Sequence, residues 1–225
     1  TFVDSFAVVD QGNLPDAVAF NNDGTKMFVV GSDGDAVNEY TLTTGFDVST
    51  ASYAGNDERF DVSNEEVLPS GVAFNNDGTK MFVTGWKGND INEYTLTTGF
   101  DVSTASYAGD DERFSVASQN AQIRGLAFNN DGTKMFVVGT KDSDDDVYEY
   151  TLTIGFDVST ASYVDSFDPS MTNPSGITFN KSGSRLFVIS GSVGEISEFP
   201  LSIGFDLSSA SSTATGTLDI SSEET

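Results

Sequence analysis

Short apolar runs, broken by Gly, Asp and Asn, recur along the whole chain. In the first stretch they fall at residues 17–20, 26–30 and 37–42, and a fourth begins at Ser52. Asn22-Asp23-Gly24 separates the first two. Asp-Gly between apolar runs is a hairpin signal, because Gly takes φ > 0 without a Cβ clash. Residues 37–42 alternate Val, Glu, Thr on one face and Asn, Tyr, Leu on the other, which is the period of a strand. Nothing has the period of a long amphipathic helix. Four strands, a to d, are the predicted elements.

The pattern repeats. Residues 19–53 recur at 73–107 and 127–163, and a weaker copy runs over 178–212. The anchors Phe20, Phe74, Phe128 and Phe179 lie 54, 54 and 51 residues apart; Phe46, Phe100, Phe156 and Phe205 lie 54, 56 and 49 apart. Tandem four-stranded units of this length bury their faces only against neighbouring units, as the blades of a β-propeller do. The expected fold is therefore an all-β propeller of about 54-residue, four-stranded blades. One domain covers residues 1–225, with repeats at about 1–53, 54–107, 108–163 and 164–225.

The run Pro69-Ser-Gly-Val-Ala-Phe-Asn-Asn-Asp-Gly-Thr-Lys-Met-Phe-Val-Thr-Gly85 resembles the blade opening of YVTN/NHL-type propellers. The segment from Asn92 to Tyr107 is similar to repeats of marine phage and marine bacterial surface proteins. This resemblance implies the fold and says little about activity, since propellers host binding, scaffolding and many chemistries.

The ends add an extra outer strand. Residues 2–6 repeat 163–167, which belong to a strand d, and residues 220–225 mirror 62–67. Four a–b–c sets thus face five d strands. A window from a longer array, an unusual closure, or a ring completed by strand sharing between chains follows from that count.

The copies diverge on one face. The a–b turns and c–d loops are nearly constant, whereas the b–c and d–a loops vary freely. Function on a rigid scaffold commonly sits in such loops. Trp86, the single tryptophan, occupies a slot held by Ser32 and Thr140 in other units. An aromatic there stacks on a sugar or anchors a protein; the plainer reading packs it on its own loop or the next blade. Lys87, Asn89, Asp90, Arg124 and Lys141 complete the candidate ligand-binding set. Asp142, Asp144, Asp145 and Asp146 cluster in the third b–c loop, where calcium is the cation their oxygens suit. The cluster lacks the EF-hand pattern, and a solvated acidic loop is the plainer reading.

Other acids read as architecture. Glu39, Glu93, Glu149 and Glu198 recur in strand c, opposite Lys26, Lys80, Lys134 and Arg185 in strand b, which predicts one cross-strand ion pair per blade. Asp47, Asp101, Asp157 and Asp206 are expected to cap local turns.

Composition narrows the chemistry. Among 225 residues there is no cysteine and no histidine, which removes disulfides, thiolate and imidazole metal sites, and His-based triads. Ten basic residues against 35 acidic give a net charge of −25, which disfavours nucleic acid and anionic membrane surfaces. No apolar run reaches the ~18 residues of a membrane span, and no leader is visible at Thr1. An enzyme would have to use carboxylates, as propeller glycoside hydrolases do, and the acids that differ between blades lie in loops. The expectation is a non-enzymatic module, extracellular or on a virion surface, binding a glycan or protein through its variable face. A structural spacer in a longer array is the first alternative, and a carboxylate-based glycoside hydrolase the second.

Overall fold

The computed structural model describes residues 3–8, 10–12, 14–119, 122–140 and 145–221. Among these residues eighteen strands form four antiparallel sheets, each a propeller blade, and six 3-10 turns lie between strands. The chain divides into two units, residues 1–113 and 114–225.

In the first unit, blade 1 runs β1 (Pro15–Phe20), β2 (Lys26–Gly31), β3 (Ala36–Leu42) and β4 (Ala51–Tyr53), with β5 (Arg59–Asp61) further along β3. Blade 2 repeats this with β6 (Pro69–Phe74), β7 (Lys80–Gly85), β8 (Asp90–Leu96) and β9 (Ala105–Tyr107), and β10 (Arg113–Ser115) follows across the boundary of the two units. The second unit holds blade 3, β11 (Gln122–Phe128), β12 (Lys134–Thr140), β13 (Val147–Leu152) and β14 (Ala161–Phe167). Blade 4 follows with β15 (Pro174–Phe179), β16 (Arg185–Ser190), β17 (Glu195–Pro200) and β18 (Gly216–Asp219). Among the described residues, 3–8 enter no strand.

The predicted hairpins form because each Asp-Gly turn closes on itself. Asp23, Asp77 and Asp131 accept the amides of Thr25, Thr79 and Thr133 at 3.0, 3.0 and 3.1 Å. These bonds, above all those from the threonine hydroxyls, pull the three carboxyls below their ordinary range. Gly24, Gly78, Gly132 and Gly183 take φ between 70° and 73°. The aromatic ring of Phe46, Phe100, Phe156 or Phe205 lies on each glycine, where a Cβ would otherwise stand. Those four phenylalanines themselves adopt positive φ, 57° to 61°. Their ring contacts offset a strain that non-glycine residues ordinarily avoid.

Blades pack by a repeated set of contacts. In the first unit Phe28 of β2 meets Phe74 at 4.5 Å and Phe100 at 6.4 Å between ring centroids. In the second, Phe136 meets Phe179 and Phe205 at the same distances. Around the first triad, Val30, Val37, Val72, Met81, Val83, Tyr94 and Leu96 are buried together. Strand-d aromatics add edge-on contacts with the next blade, Phe60 on Tyr94 at 5.4 Å and Phe167 on Phe199 at 5.1 Å.

Candidate functional site

The strand-c glutamates sit where these blades meet. Glu39 pairs with Lys26 at 2.7 Å and Glu149 with Lys134 at 2.6 Å, as the spacing predicts. Each pair also reaches the next blade. Lys26 Nζ donates to the Phe100 carbonyl at 2.7 Å, and Glu39 Oε2 accepts the Val102 amide at 3.3 Å. Lys134 and Glu149 treat Phe205 and Leu207 alike, at 2.6 and 2.8 Å. The c–d aspartates cap single 3-10 turns as expected: Asp47, Asp101, Asp157 and Asp206 accept the amides of Ser49, Ser103, Ser159 and Ser208.

A further carboxyl joins Glu39 in the first unit. Tyr53 and Phe60 are separated by three residues more than Tyr163 and Phe167. The longer connection interrupts strand d with a 3-10 turn, Asn56–Glu58, after Gly55 at φ 121°. That turn brings Glu58 to Glu39 and Asp101, one carboxylate oxygen of each lying within 4.8 Å of the others. Glu39 is buried, and Glu58 and Asp101 are half-buried. Burial first, then the charges of Glu39 and Asp101 and a hydrogen bond to Asp101, push the Glu58 carboxyl above its ordinary range; Lys26 opposes this. Glu58 Oε2 is buried without a hydrogen-bond partner. A carboxyl raised beside neighbouring carboxylates can hold a proton, release it and take it back. Three oxygens at this spacing are also what a hard cation such as calcium takes as part of its shell. Sequence reading assigned Glu39 and Asp101 to architecture and passed over Glu58. The signal available was the segment 55–60, repeated at 109–114 and absent from the other two units.

Trp86, Lys87, Asn89 and Asp90 lie together in the β7–β8 connection and at the start of β8. A buried carboxylate of the β5–β6 connection holds this loop: Glu66 accepts the Leu68 and Gly88 amides, both at 3.1 Å, and Trp86 N donates to Leu68 O at 3.1 Å. Trp86 is half-buried, Lys87 exposed, and Asp90 faces Arg113 at 3.6 Å. Arg124 lies half-buried in β11 of the second unit. There Asp145 accepts the Asn173 amide at 3.0 Å, and Asp146 is half-buried. Lys141, Asp142 and Asp144 lie outside the described residues.

No family model matches the chain, and no curated protein does. Solved structures do. A candidate 6-phosphogluconolactonase from Bacteroides fragilis superposes with a TM-score of 0.59 at 14% identity, over 92% of this chain and 55% of that one. The periplasmic gluconolactonase of Pseudomonas aeruginosa gives 0.53 at 13%, over 90% and 53%. Kuenenia stuttgartiensis hydrazine synthase gives 0.54 at 15%, over 96% and 52%. The chain thus spans little more than half the length of each. At these identities the likeness shows the fold.

These neighbours overturn the expectation of a non-enzymatic glycan- or protein-binding module, because the similar structures named for an activity are enzymes. The expectation set carboxylate chemistry aside because the acids that differ between blades lie in loops, but Glu58 is half-buried beside Glu39 and Asp101. Lacking His and Cys removes imidazole and thiolate chemistry, whereas a half-buried carboxyl pair remains competent for proton transfer.

Proposed function

We propose that this protein hydrolyses a sugar-acid lactone, with Glu58 and Asp101 as its proton-transfer pair. The observation that carries this reading is the Glu58 carboxyl, held above its ordinary range beside the Asp101 carboxylate. The lactonase names of the structural neighbours support the substrate class.

Lactone hydrolysis adds water across the acyl carbon–ring oxygen bond. Ionised Glu58 takes the proton of the attacking water, and a raised carboxyl is the stronger base for doing so. As the acyl–oxygen bond breaks, the proton passes to the departing ring oxygen, and a hydroxy acid results. Asp101 keeps Glu58 basic through its charge. The Lys26 ammonium, side chain 30% exposed and next to Glu39, supplies positive charge near the developing oxyanion. The acidic composition, and the likeness of residues 92–107 to repeats of marine phage and marine bacterial surface proteins, support an extracellular setting.

The test is acid release from δ-gluconolactone in a pH-stat. Wild type should exceed the spontaneous rate, and Glu58→Gln should lower the protein-dependent rate by about 100-fold, the low end for loss of a positioned base. Hydrolysis at the spontaneous rate with wild type would refute the reading, as would full activity in Glu58→Gln.

A further inference from the structure

We infer that the carboxylates of Glu65 and Glu66, with the side-chain amide of Asn92, bind a calcium ion inside the junction of blades 1 and 2. All three residues belong to the first unit. They lie towards the start of β8, where the Trp86 loop is, whereas Asp101 of the proton-transfer pair follows the other end of that strand.

The argument starts from a buried amide without partners. Asn92 is 1% exposed, and neither its Oδ1 nor its Nδ2 has a hydrogen-bond partner. Burying a polar group so costs free energy until an ion or a water satisfies it. Asn92 pairs with Val83 across β7 and β8, and Tyr94 follows two residues on, so the three side chains share one face of blade 2. Through Val83 and Tyr94 that face packs on Phe28, Val30 and Val37 of blade 1.

Glu66 is brought onto the same face. Gly85 lies two residues beyond Val83 in β7, and the Glu66 carboxyl occupies the place where a Gly85 Cβ would stand. Gly88 forms a second wall, its Cβ position 2.7 Å from Glu66 Oε2. Glycine at both places makes room for a carboxylate that is 2% exposed. Glu65 comes beside it: its Oε2 accepts the Tyr94 hydroxyl at 3.3 Å. Burial, then the charge of Glu65, and last that of Glu66 push the Tyr94 phenol up.

Two carboxylates are thus held next to an unsatisfied amide, and among the described residues neither is in an ion pair. Glu39 differs, because the Lys26 ammonium at 2.7 Å supplies its counter-charge. A divalent cation supplies that charge to Glu65 and Glu66. Calcium takes carboxylate and amide oxygens together in an adaptable shell. Asn92 Oδ1 and the remaining lone pairs of the glutamates ligate it, and a water of its shell accepts from Nδ2.

Blade 4 carries the same positions without the acids. Ser170 and Met171 stand where Glu65 and Glu66 do, counted back from Pro174 as those are from Pro69. There Phe199 replaces Tyr94 and Met171 packs against the hydrophobic core. Ser197, in the place of Asn92, donates to Glu195 at 2.7 Å. The two carboxylates, the phenol and the unpartnered amide are absent together, as groups serving one ligand are.

The experiment titrates calcium into chelator-treated, dialysed protein and reads the melting temperature of wild type, Asn92→Leu, Glu65→Gln and Glu58→Gln, with circular dichroism to establish that each folds. Wild type should show a saturable rise. Its Trp86 emission should change over the same calcium range, since Glu66 holds the Gly88 amide of that loop. Asn92→Leu and Glu65→Gln each lack one ligand and should bind calcium at least about tenfold more weakly. Glu58→Gln should bind as wild type does. Where Asn92→Leu fails to fold, Glu65→Gln, which alters a half-buried side chain, carries the test. A wild type that calcium does not stabilise would overturn the inference, as would wild-type affinity in a folded Asn92→Leu or Glu65→Gln. So would loss of the effect in Glu58→Gln, which places the ion at the other carboxylate cluster.

Discussion

Glu39 takes the Lys26 ammonium on one carboxylate oxygen at 2.7 Å, while its other oxygen accepts the amide of Val102 on the neighbouring blade at 3.3 Å. A cross-strand pair thereby also fixes blade against blade. Removing one partner of a buried ion pair costs about 3–5 kcal/mol. Glu39 is 2% exposed but Lys26 is 30% exposed, so water relieves part of the loss. Lys26→Met should cost about 2 kcal/mol in urea unfolding. The double variant Lys26→Met/Glu39→Leu should cost less than the sum of its singles, because no charge is then left buried. Strict additivity would show that the pair is not coupled.

The glycine turns offer a comparison between two substitutions. Gly78 has φ 73° and the Phe100 ring where its Cβ would be; Gly109 has φ 119° with nothing within 4 Å. Gly109→Ala meets only backbone strain and should cost about 1 kcal/mol. Gly78→Ala must also displace the ring and should cost more than about 2 kcal/mol. Equal losses would remove the ring from the account.

Carboxyls here titrate in two senses. Glu58 is raised in the folded state, so its contribution is present below the ordinary 4.5 and is lost as pH rises through the folded value. Glu58→Gln, which resembles the protonated acid, should raise the melting temperature at pH 7.5 and change it little at pH 4. Asp77 and Asp131 are lowered, so their contribution is present above 3.8 and lost as pH falls through the folded value. Asp77→Asn should therefore melt lower at pH 7.5, and the difference should close under acid conditions. Melting curves across pH separate the two.

At the alkaline end, burial above all pushes Tyr40 and Tyr107 up to about 12, and moves Tyr94 and Tyr150 further the same way. A folded value above the unfolded 10.0 contributes stability that is present below pH 10 and lost as pH rises towards 12. Phenolate absorbance should rise in that window together with loss of the circular dichroism signal. Ionisation of Tyr40, Tyr94, Tyr107 and Tyr150 near 10 in a protein that stays folded would contradict the burial.

Glu66 is 2% exposed, and its carboxylate holds the Gly88 amide of the Trp86 loop and the Leu68 amide of its own connection. Glu66→Ala leaves both unbonded at about 1–3 kcal/mol each before water re-enters. A loss of about 2 kcal/mol should accompany a red shift of the single tryptophan's emission. An unchanged spectrum would show that the loop holds its shape by other means.

The fold was legible because it is periodic. Phe, Asp-Gly and Lys/Glu positions recur with the spacing of blades, and each local signal in one copy is repeated by the others. The cross-strand ion pairs and the aspartate caps could be read the same way, since strand register and turn chemistry act over a few residues. The candidate site could not. Glu58, Glu39 and Asp101 are brought together only when an interrupted strand d folds back at the junction of two blades, and their number along the chain says nothing of that approach. Proton affinity is equally a tertiary property: Glu58 is an ordinary glutamate until burial and two neighbouring carboxylates raise it. Trp86 shows the reverse case, a residue conspicuous in the sequence whose loop the structure finds clamped by Glu66. Local periodicity determined the strands and their order of repetition. Which acids share water, and which are deprived of it, was decided by the packing of blade on blade.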